Sequence, residues 1–444
     1  MTAGSREDRS QCRHPEPARV STRVEPDVER LSGRISSAKN AFLIVLVLAI
    51  GEILGGVAGA GGAEPSLEGY GTDSTFGGGP GSETCVVLHT ADSGVGSLRD
   101  CVENRNGPLD NPIPRRVVFS TGGTIVLLAD LSIRQPYLTI DGLTAPAPGI
   151  TLAKEGTGEI GETNIVTWQG QNTCAHDVLV QGLRFRGVWT RDTNEHSQNA
   201  DMLSVDGENL PGCLQNVVIW RNTYIDGQDS VGSLWGSVRD LTFAYNFVVF
   251  NYHPQTISHY PGGEQGQQRE RLSIHHNVFA YNHERTANFR ANVWDVNFEQ
   301  NVIHEWDPFG LPGGYATRFR CRNGGCPLRF NMLDNHWTSA GGSLSQAINF
   351  QSDADPDQVF SQGNTKPDAE SEDGAANGPF PRTDSVTVFP PTTLGETMFP
   401  YVGHPYPTQE ESDVLAEVLM QVETEQGPLF ADGFESGNTS AWSN

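Results

Sequence analysis

Six side chains within residues 201–290 are of types that could act together on an acidic molecule. They are three aspartates, a histidine and two arginines: Asp201, Asp226, Asp229, His253, Arg285 and Arg290. Carboxylate oxygens are suitable ligands for a hard cation such as Ca²⁺, a histidine can hydrogen-bond a carboxylate, and guanidinium groups carry a permanent positive charge. The alternative is that the aspartates are ordinary charges at strand edges and the arginines a solvated pair on a polar face.

A repeated pattern in the middle of the chain indicates which elements position these residues. Each copy reads apolar, any residue, apolar, any two residues, asparagine, and successive asparagines are 24, 31, 24 and 34 residues apart. The copies are Val217-Ile219-Asn222, Leu241-Phe243-Asn246, Leu272-Ile274-Asn277, Val296-Phe298-Asn301 and, more loosely, Phe330-Met332-Asn335. The two apolar residues lie on one side of a short strand that ends in a turn. Since such a strand cannot bury its face alone, the pattern predicts stacked coils whose asparagines bond backbone groups of the neighbouring coil.

The predicted fold class is therefore all-β, a right-handed single-stranded parallel β-helix. The composition agrees, because 50 glycines and 27 prolines with 36% hydrophobic residues indicate many turns and short strands. A β-sandwich also has many short strands, but an asparagine at a constant offset from the strand is unexplained there.

The repeat also predicts which side chains share a face of this solenoid. Asp229 and His253 each come seven residues after a turn asparagine, and Arg285 comes eight residues after one. All three should open the same strand of successive coils, at intervals of about 5 Å. Asp201 immediately precedes the alternating stretch 202–205 and is expected at the head of such a strand as well.

The charge of the chain restricts its partners. A formal net charge of −25 argues against nucleic-acid binding, which depends on neutralising phosphates. An acidic polymer would need a local basic strip or a bridging cation to bind here.

The cysteines and the first residues are typical of an exported protein. Residues 41–50 form an apolar run that follows basic residues and precedes small ones, which predicts a signal peptide within residues 1–63; a membrane anchor is the alternative. Six cysteines follow, and we expect nearest neighbours to pair as disulfides: Cys85, Cys101, Cys174, Cys213, Cys321 and Cys326. A zinc site is the competing interpretation, but neither CxxC nor HxxxH occurs beside them. The expected protein is a secreted monomer without membrane contact once the signal is removed.

The remaining parts of the chain have distinct patterns. Residues 66–81 and 352–381 are predicted to be loop or wrapping segments, and residues 413–422 have helical spacing. The predicted domain covers residues 64–428 and ends in a wrapping segment, followed by a short tail, 429–444.

Five ordered motifs resemble the pectate lyase family, over residues 68–428. They are ADSGVGSLRDCV at 91–102, VVFSTGGTIVL at 117–127, PYLTIDGLTAPAPGITL at 136–152, DVLVQGLRFR at 177–186 and IHHNVFAYN at 274–282. The resemblance implies a pectin-lyase-like solenoid and an enzyme that cleaves polygalacturonate by calcium-assisted β-elimination. It places calcium ligands at Asp201 and Asp229. The family's third acidic position falls on Ser233, which supplies no charge; Asp226 could compensate across the turn or could be a turn residue.

The family's catalytic motif, arginine-any-proline-any-any-arginine, is present without its proline at residues 285–290. By resemblance Arg285 is the base that removes the proton α to the uronate carboxylate, and Arg290 positions it or binds substrate. His253 falls where the family has a substrate-binding lysine. Since arginine is a difficult base, the site should be cationic and partly desolvated, and we expect Arg269 and Arg271 to contribute to that setting together with Arg290 and His253.

Other functions are open from the sequence. A glycoside hydrolase on the same architecture would need paired carboxylates, for which Asp226 and Asp229 are the candidates. A metal-free site like that of pectin lyases, and a non-catalytic β-helix for carbohydrate binding or adhesion, are further alternatives. His275 and His276 directly precede a turn asparagine and are interpreted as structural.

Overall fold

The computed structural model describes residues 64–108, 110–154, 166–169, 175–191, 201–207, 214–254, 256–257, 269–283, 285–290, 293–306, 308, 315–320, 328–338, 346–351, 354–366 and 373–425. All belong to one compact unit, Gly61–Asn444. The predicted signal peptide and the tail lie outside these residues. Within the described residues, no helix has the length and apolar content needed to cross a membrane.

The described strands form three sheets in which all pairings are parallel. Sheet 1 contains β1 Glu83–Val87, β2 Arg115–Phe119, β5 Leu138–Asp141, β8 Val178–Gln181, β11 Leu214–Trp220, β14 Val238–Ala244, β17 Arg269–His275, β20 Val293–Glu299, β23 Leu328–Leu333 and β26 Val359–Gln362. Sheet 2 contains β3 Gly123–Leu127, β6 Ile150–Lys154, β9 Leu183–Arg186, β12 Thr223–Ile225, β15 Phe247–Val249, β18 Val278–Ala280, β21 Val302–His304 and β24 His336–Thr338. Sheet 3 contains β4 Leu131–Ile133, β7 Val166–Gln169, β10 Leu203–Gly207, β13 Ser233–Gly236, β16 Thr256–Ile257, β19 Ala287–Arg290, β22 Thr317–Arg320 and β25 Ile348–Gln351. Since each coil gives one strand to each sheet in turn, the predicted parallel β-helix is confirmed.

The core follows from the repeat. Val217, Leu241, Leu272 and Val296 are paired in register on successive strands of sheet 1, and all four are almost completely buried. Because the residues at these positions face inward in every coil, each coil covers the apolar face of the one before.

The turn asparagines form the predicted ladder between coils. Asn277 is representative, since its Oδ1 accepts from the backbone nitrogen of Asn246 at 2.9 Å and its Nδ2 donates to the carbonyl of Phe243 at 2.9 Å. The same two bonds recur at the other rungs, Asn222, Asn246, Asn301 and Asn335. The predicted role of these asparagines is therefore confirmed.

The ladder has a further rung that the sequence pattern did not reveal. Asn364 accepts from the backbone nitrogen of Asn335 and donates to the carbonyl of Met332. It follows β26, which lies inside the segment 352–381 that we predicted to be loop. That prediction was wrong for β26. Ser361 occupies the position of the second apolar residue, so this copy does not match the pattern.

Each turn asparagine in the repeat follows a residue with positive φ. The residues are Arg221, Tyr245, His276, Gln300 and Asp334, with φ of 54°, 54°, 54°, 54° and 51°. This left-handed conformation turns the chain sharply between sheets 1 and 2. It fixes the position of His276 at the corner of its coil.

The two ends of the described chain pack on the outside of the coils. The predicted helix is present as α2, Gln409–Glu425, after a short α1, Leu394–Thr397. Val414, Val418 and Val422 lie one turn apart on the buried face of α2. Short 3₁₀ segments cover Phe76–Gly78, Gly142–Thr144, Pro356–Gln358, Pro391–Thr393 and Phe399–Tyr401, and one π-helical turn covers Asp100–Asn104.

One disulfide is present among the described residues. Cys85 of β1 is bonded to Cys101 of the π-helical turn, 16 residues later. The first of the expected nearest-neighbour pairs is therefore confirmed, and the other four cysteines lie outside the described residues.

Candidate active site

The strand register of sheet 3 aligns four residues at the starts of its strands. The backbone nitrogen of Met202 donates to the carbonyl of Ser230 at 3.1 Å, and Ser230 pairs with His253 in a parallel bridge. The pairing of Thr256 with Asn288 continues the same register towards Arg285. Asp201, Ser230, His253 and Arg285 thus occupy equivalent positions, and Asp229 lies one residue before this row, not within it as the count from the asparagines predicted.

The side chains of Asp229, His253 and Arg285 nevertheless meet. Oδ1 of Asp229 lies 3.1 Å from Nδ1 of His253 and 3.8 Å from Nη1 of Arg285. The His253 side chain is 3% exposed and that of Asp229 11%, whereas that of Arg285 is 23% exposed. Arg285 also has a positive φ, 61°, a left-handed conformation that it shares with the corner residues of the coils. The arrangement is a buried carboxylate that holds a histidine and a partly exposed guanidinium.

Asp201 adds a second carboxylate at the same edge of sheet 3. Its Oδ1 accepts a hydrogen bond from the backbone nitrogen of Ser230 at 3.1 Å. This bond brings the carboxylate of Asp201 to the residue that directly follows Asp229. Both aspartates are buried, so they place negative charge where a bound cation would face little competition from water.

Asp226 is held in a different arrangement. Its carboxylate accepts from Nε of Arg191 at 2.6 Å and lies 3.3 Å from Nη2 of Arg186, and its φ of 62° fits a turn position. Arg191 also bonds Glu410 of α2 at 2.6 Å and covers the ring of Phe250 at 3.8 Å. Asp226 therefore links the coils to the start of α2, and its charge is balanced by two arginines.

The three aspartates do not form a ready-made metal centre. Among the described residues, the groups of at least three histidine, cysteine or acidic ligand atoms within 4.8 Å of one another do not include them. Calcium requires about six to eight oxygen ligands, and Oδ1 of Asp229 is shared with His253 and Arg285. The carboxylate oxygens of Asp201 and Asp229 are donors that suit a hard cation such as calcium, whereas the carboxylate of Asp226 is engaged by two arginines.

The expected cationic neighbours of Arg285 are only partly present. Arg271 belongs to β17 of sheet 1, where its guanidinium is paired with Asp240, so the expectation that it adds charge around Arg285 is wrong. Arg269 opens the same strand. Arg290 ends β19, in register with Arg320, and Ser233 opens β13, in register with Ser204. The side chains of Arg269, Arg290 and Ser233 are not among those described.

Sheet 3 carries a further arginine that sequence reasoning missed. Arg318 of β22 pairs with Asn288, three residues after Arg285, and its Nε donates to Oδ1 of Asn288 at 3.1 Å. Its guanidinium lies 4.1 Å from the centre of the Tyr315 ring. The sequence TRFR at 317–320 carries the signal, since Phe319 is buried and the alternation of a strand sends Arg318 to the opposite face.

Comparisons with known proteins agree with the motifs. No protein-family model matches the chain. It is 30% identical over 258 residues to the probable pectate lyase C of Aspergillus flavus and 28% identical over 257 residues to that of Emericella nidulans, in each case over 57% of this chain and 50% of the relative. The chain thus spans about half the length of the curated relatives that it matches.

A solved structure supports the fold. It is that of pectate lyase Bsp165PelA from Bacillus sp. N165 in complex with trigalacturonate, with a TM-score of 0.50, 13% sequence identity, and coverage of 76% of this chain and 98% of that one. At this identity the likeness concerns the fold alone. The resemblance that the five motifs predicted is therefore confirmed: this chain is similar in sequence to proteins named pectate lyases and shares a parallel β-helix with one of known structure.

Proposed function

We propose that this chain is a secreted polysaccharide lyase that cleaves polygalacturonate by β-elimination, with Arg285 as the base. The observation that carries the proposal is the row at the start of the sheet 3 strands, where Arg285 is partly exposed and lies 3.8 Å from Asp229. The similarity to proteins named pectate lyases supports the substrate class. The signal-peptide pattern at residues 41–50 supports export.

The reaction assigns a role to each described group. With its guanidine group neutral, Arg285 would accept the proton α to the uronate carboxylate. The electron pair of that carbon–hydrogen bond would form a carbon–carbon double bond as the bond to the neighbouring sugar oxygen breaks, and that oxygen would take up a proton from water. Proton removal places additional negative charge on the carboxylate, so positive charge at that position lowers the barrier. Asp201 and Asp229 would hold calcium, which neutralises the substrate carboxylate when it is bound.

Substrate positioning falls to His253 and Arg290. The bond from His253 to Asp229 fixes the plane of the imidazole, and a fixed ring loses little entropy when a sugar binds. Arg290 lies five residues after Arg285, at the far end of β19. An extended acidic chain that runs along sheet 3 would pass both positions and would reach His253 only at the edge of its ring, which is 3% exposed.

The test is production of unsaturated uronate from polygalacturonate, measured by its ultraviolet absorbance with calcium present. The Arg285→Lys variant keeps the charge and should lose activity by about 10²- to 10⁴-fold, the usual contribution of a general base. Arg329→Lys is the matched control, because Arg329 forms an ion pair with Asp295 in sheet 1, and it should keep full activity.

Three outcomes would contradict the proposal in different ways. Reducing ends without the absorbance would indicate a hydrolase. Saturable binding of the polymer without cleavage would indicate a carbohydrate-binding protein. Equal activity of Arg285→Lys and the unmodified protein would exclude Arg285 as the base.

A further inference from the structure

Glu68, His275 and His276 form a buried group on the outer side of sheet 1, away from the strands that carry Arg285. His275 ends β17, and His276 follows it at the corner of the coil. Glu68 belongs to the N-terminal segment that crosses this sheet, where the backbone nitrogen of Tyr70 donates to Oγ of Ser273 at 3.1 Å. The fold thus joins residues that are more than 200 positions apart in sequence.

The three side chains present their ligand atoms to one another. Nδ1 of His275 lies 2.7 Å from Nδ1 of His276, and Nδ1 of His276 lies 3.7 Å from Oε1 of Glu68. One ligand atom from each residue lies within 4.8 Å of the other two. Two imidazoles and a carboxylate are a ligand set that zinc uses in proteins.

The surroundings of His275 orient it as a metal ligand. Its Nε2 lies 3.2 Å from the backbone carbonyl of Glu68, so Nε2 carries the hydrogen and Nδ1 keeps its lone pair towards the group. A metal-binding histidine commonly donates its second nitrogen to a carbonyl in this way. Burial lowers the pKa of His275 to about 4 and that of His276 well below its ordinary value, so both rings are neutral at pH 7.

One atom of the group, Oε1 of Glu68, is buried and lacks a hydrogen bond within the described part of the chain. The other carboxylate oxygen of Glu68 accepts from the backbone nitrogen and the hydroxyl of Thr387, at 2.9 and 2.8 Å. A buried acceptor without a donor is unfavourable, and a cation beside Oε1 would remove that cost.

The wider environment is anionic enough to accept a cation. Arg382 lies close enough to His275 to lower the pKa of that ring, and it is bonded to Glu299 at 2.6 Å and to Asp384 at 2.9 Å. Its charge is therefore already balanced by two carboxylates. The negative charge of Glu68 is therefore available to a cation bound by Glu68, His275 and His276.

We propose that Glu68, His275 and His276 bind a first-row divalent transition-metal ion, of which zinc is the best match. The ion would replace the hydrogen bond between the two Nδ1 atoms, and the proton on Nδ1 of His276 would move to Nε2 of the same ring. The N–N distance would then widen to suit two metal–nitrogen bonds of about 2.0–2.1 Å each. Calcium is excluded from this site by its preference for oxygen ligands.

Such a site would have a structural role. Glu68 comes from the N-terminal segment, the histidines from a coil, and Thr387 from the C-terminal segment that lies beside them. A bound ion would fasten all three parts together, and its binding energy would add to the stability of the fold. The assignment is independent of lyase activity.

The test uses the untagged full-length protein, stripped with a chelator and titrated with Co²⁺, which gives a visible spectrum when bound by nitrogen ligands at low coordination number. Zinc binding is then measured by competition and by metal content after dialysis. Glu68→Gln keeps an oxygen for Thr387 and removes the negative ligand, and it should bind Co²⁺ and Zn²⁺ at least about tenfold more weakly. His336→Gln, a buried histidine in sheet 2 that is bonded to Thr365, is the control and should bind normally.

Thermal unfolding provides the second measurement. Zinc should raise the melting temperature of the unmodified protein and of His336→Gln, and it should raise that of Glu68→Gln much less. The proposal is overturned if the unmodified protein gives no Co²⁺ spectrum. It is also overturned if Glu68→Gln, shown to be folded by circular dichroism, binds both metals as tightly as the unmodified protein.

Discussion

Nδ1 of His253 lies 3.1 Å from Oδ1 of Asp229, in a contact that joins two successive coils at the start of sheet 3. The same oxygen lies 3.8 Å from the guanidinium of Arg285. Under the proposed function, Asp229 would serve both as the counter-ion of Arg285 and as a calcium ligand. Asp226 provides a comparison for these two roles, because its charge is balanced by Arg191 and Arg186.

Asp229→Asn should raise the calcium concentration needed for half-maximal lyase activity by at least about tenfold, because it removes a negative ligand and keeps the shape of the side chain. Asp226→Asn is the matched control, since asparagine tolerates the same positive φ and the residue is engaged with arginines. It should leave the calcium requirement unchanged. The measurement is initial rate against free calcium.

The opposite ranking of the two variants would place the metal at Asp226. If the unmodified protein keeps full activity after treatment with a chelator and without added metal, the site is instead metal-free like that of pectin lyases.

Asn277→Ala should lower the free energy of unfolding by about 2–6 kcal/mol. The change leaves the backbone nitrogen of Asn246 and the carbonyl of Phe243 without partners in a buried position, at about 1–3 kcal/mol each. Asn364→Ala is the comparison, because the last rung is only half-buried and water can replace its bonds. Equilibrium denaturation should give a clearly smaller loss for Asn364→Ala, and equal losses would contradict the argument.

Replacing both Cys85 and Cys101 by alanine should cost about 3 kcal/mol of stability. The bond closes a loop of 16 residues at the first coil, and closure of a loop of that size removes entropy mainly from the unfolded chain. The free energy of unfolding is compared between the double variant and the unmodified protein, both under oxidising conditions. A thiol reductant should lower the melting temperature of the unmodified protein and leave that of the double variant unchanged.

Much of the fold was predictable because one short-range pattern encodes it. Two inward apolar residues and a turn asparagine determine both the stacking of a coil and its hydrogen bonds to the next, so the copies at 217–335 were visible in the sequence alone. Asn364 was missed since Ser361 occupies an apolar position of its copy. A copy of the repeat that departs from the pattern is still stabilised by the neighbouring coils. A pattern read within one short stretch of sequence does not show this long-range packing.

The site was predictable only to within one residue. Counting from the asparagines identified the correct turns, but Ser230 rather than Asp229 is in register with His253, because coils of different loop length do not keep a constant offset. Glu68 could not be identified at all. Its contact with His276 joins residues more than 200 positions apart in sequence and depends on the path of the N-terminal segment.

His304 should make the protein less stable in mild acid. It is buried and its Nδ1 lies 2.9 Å from the hydroxyl of Thr338, and burial lowers the pKa of the ring to about 4 from an unfolded value of about 6.5. Between these two values the unfolded chain binds a proton and the folded chain does not, so stability is fully present above about pH 6.5 and decreases as the pH falls towards 4. From pH 7 to pH 5 this single residue should account for about 2 kcal/mol.

The prediction is checked by comparing His304→Gln with the unmodified protein at both pH values by denaturant unfolding. The variant removes the titrating ring, so its loss of stability relative to the unmodified protein should be about 2 kcal/mol smaller at pH 5 than at pH 7. The comparison cancels the cost of repacking, because that cost is the same at the two pH values. An identical difference at both would mean that the buried ring does not resist protonation.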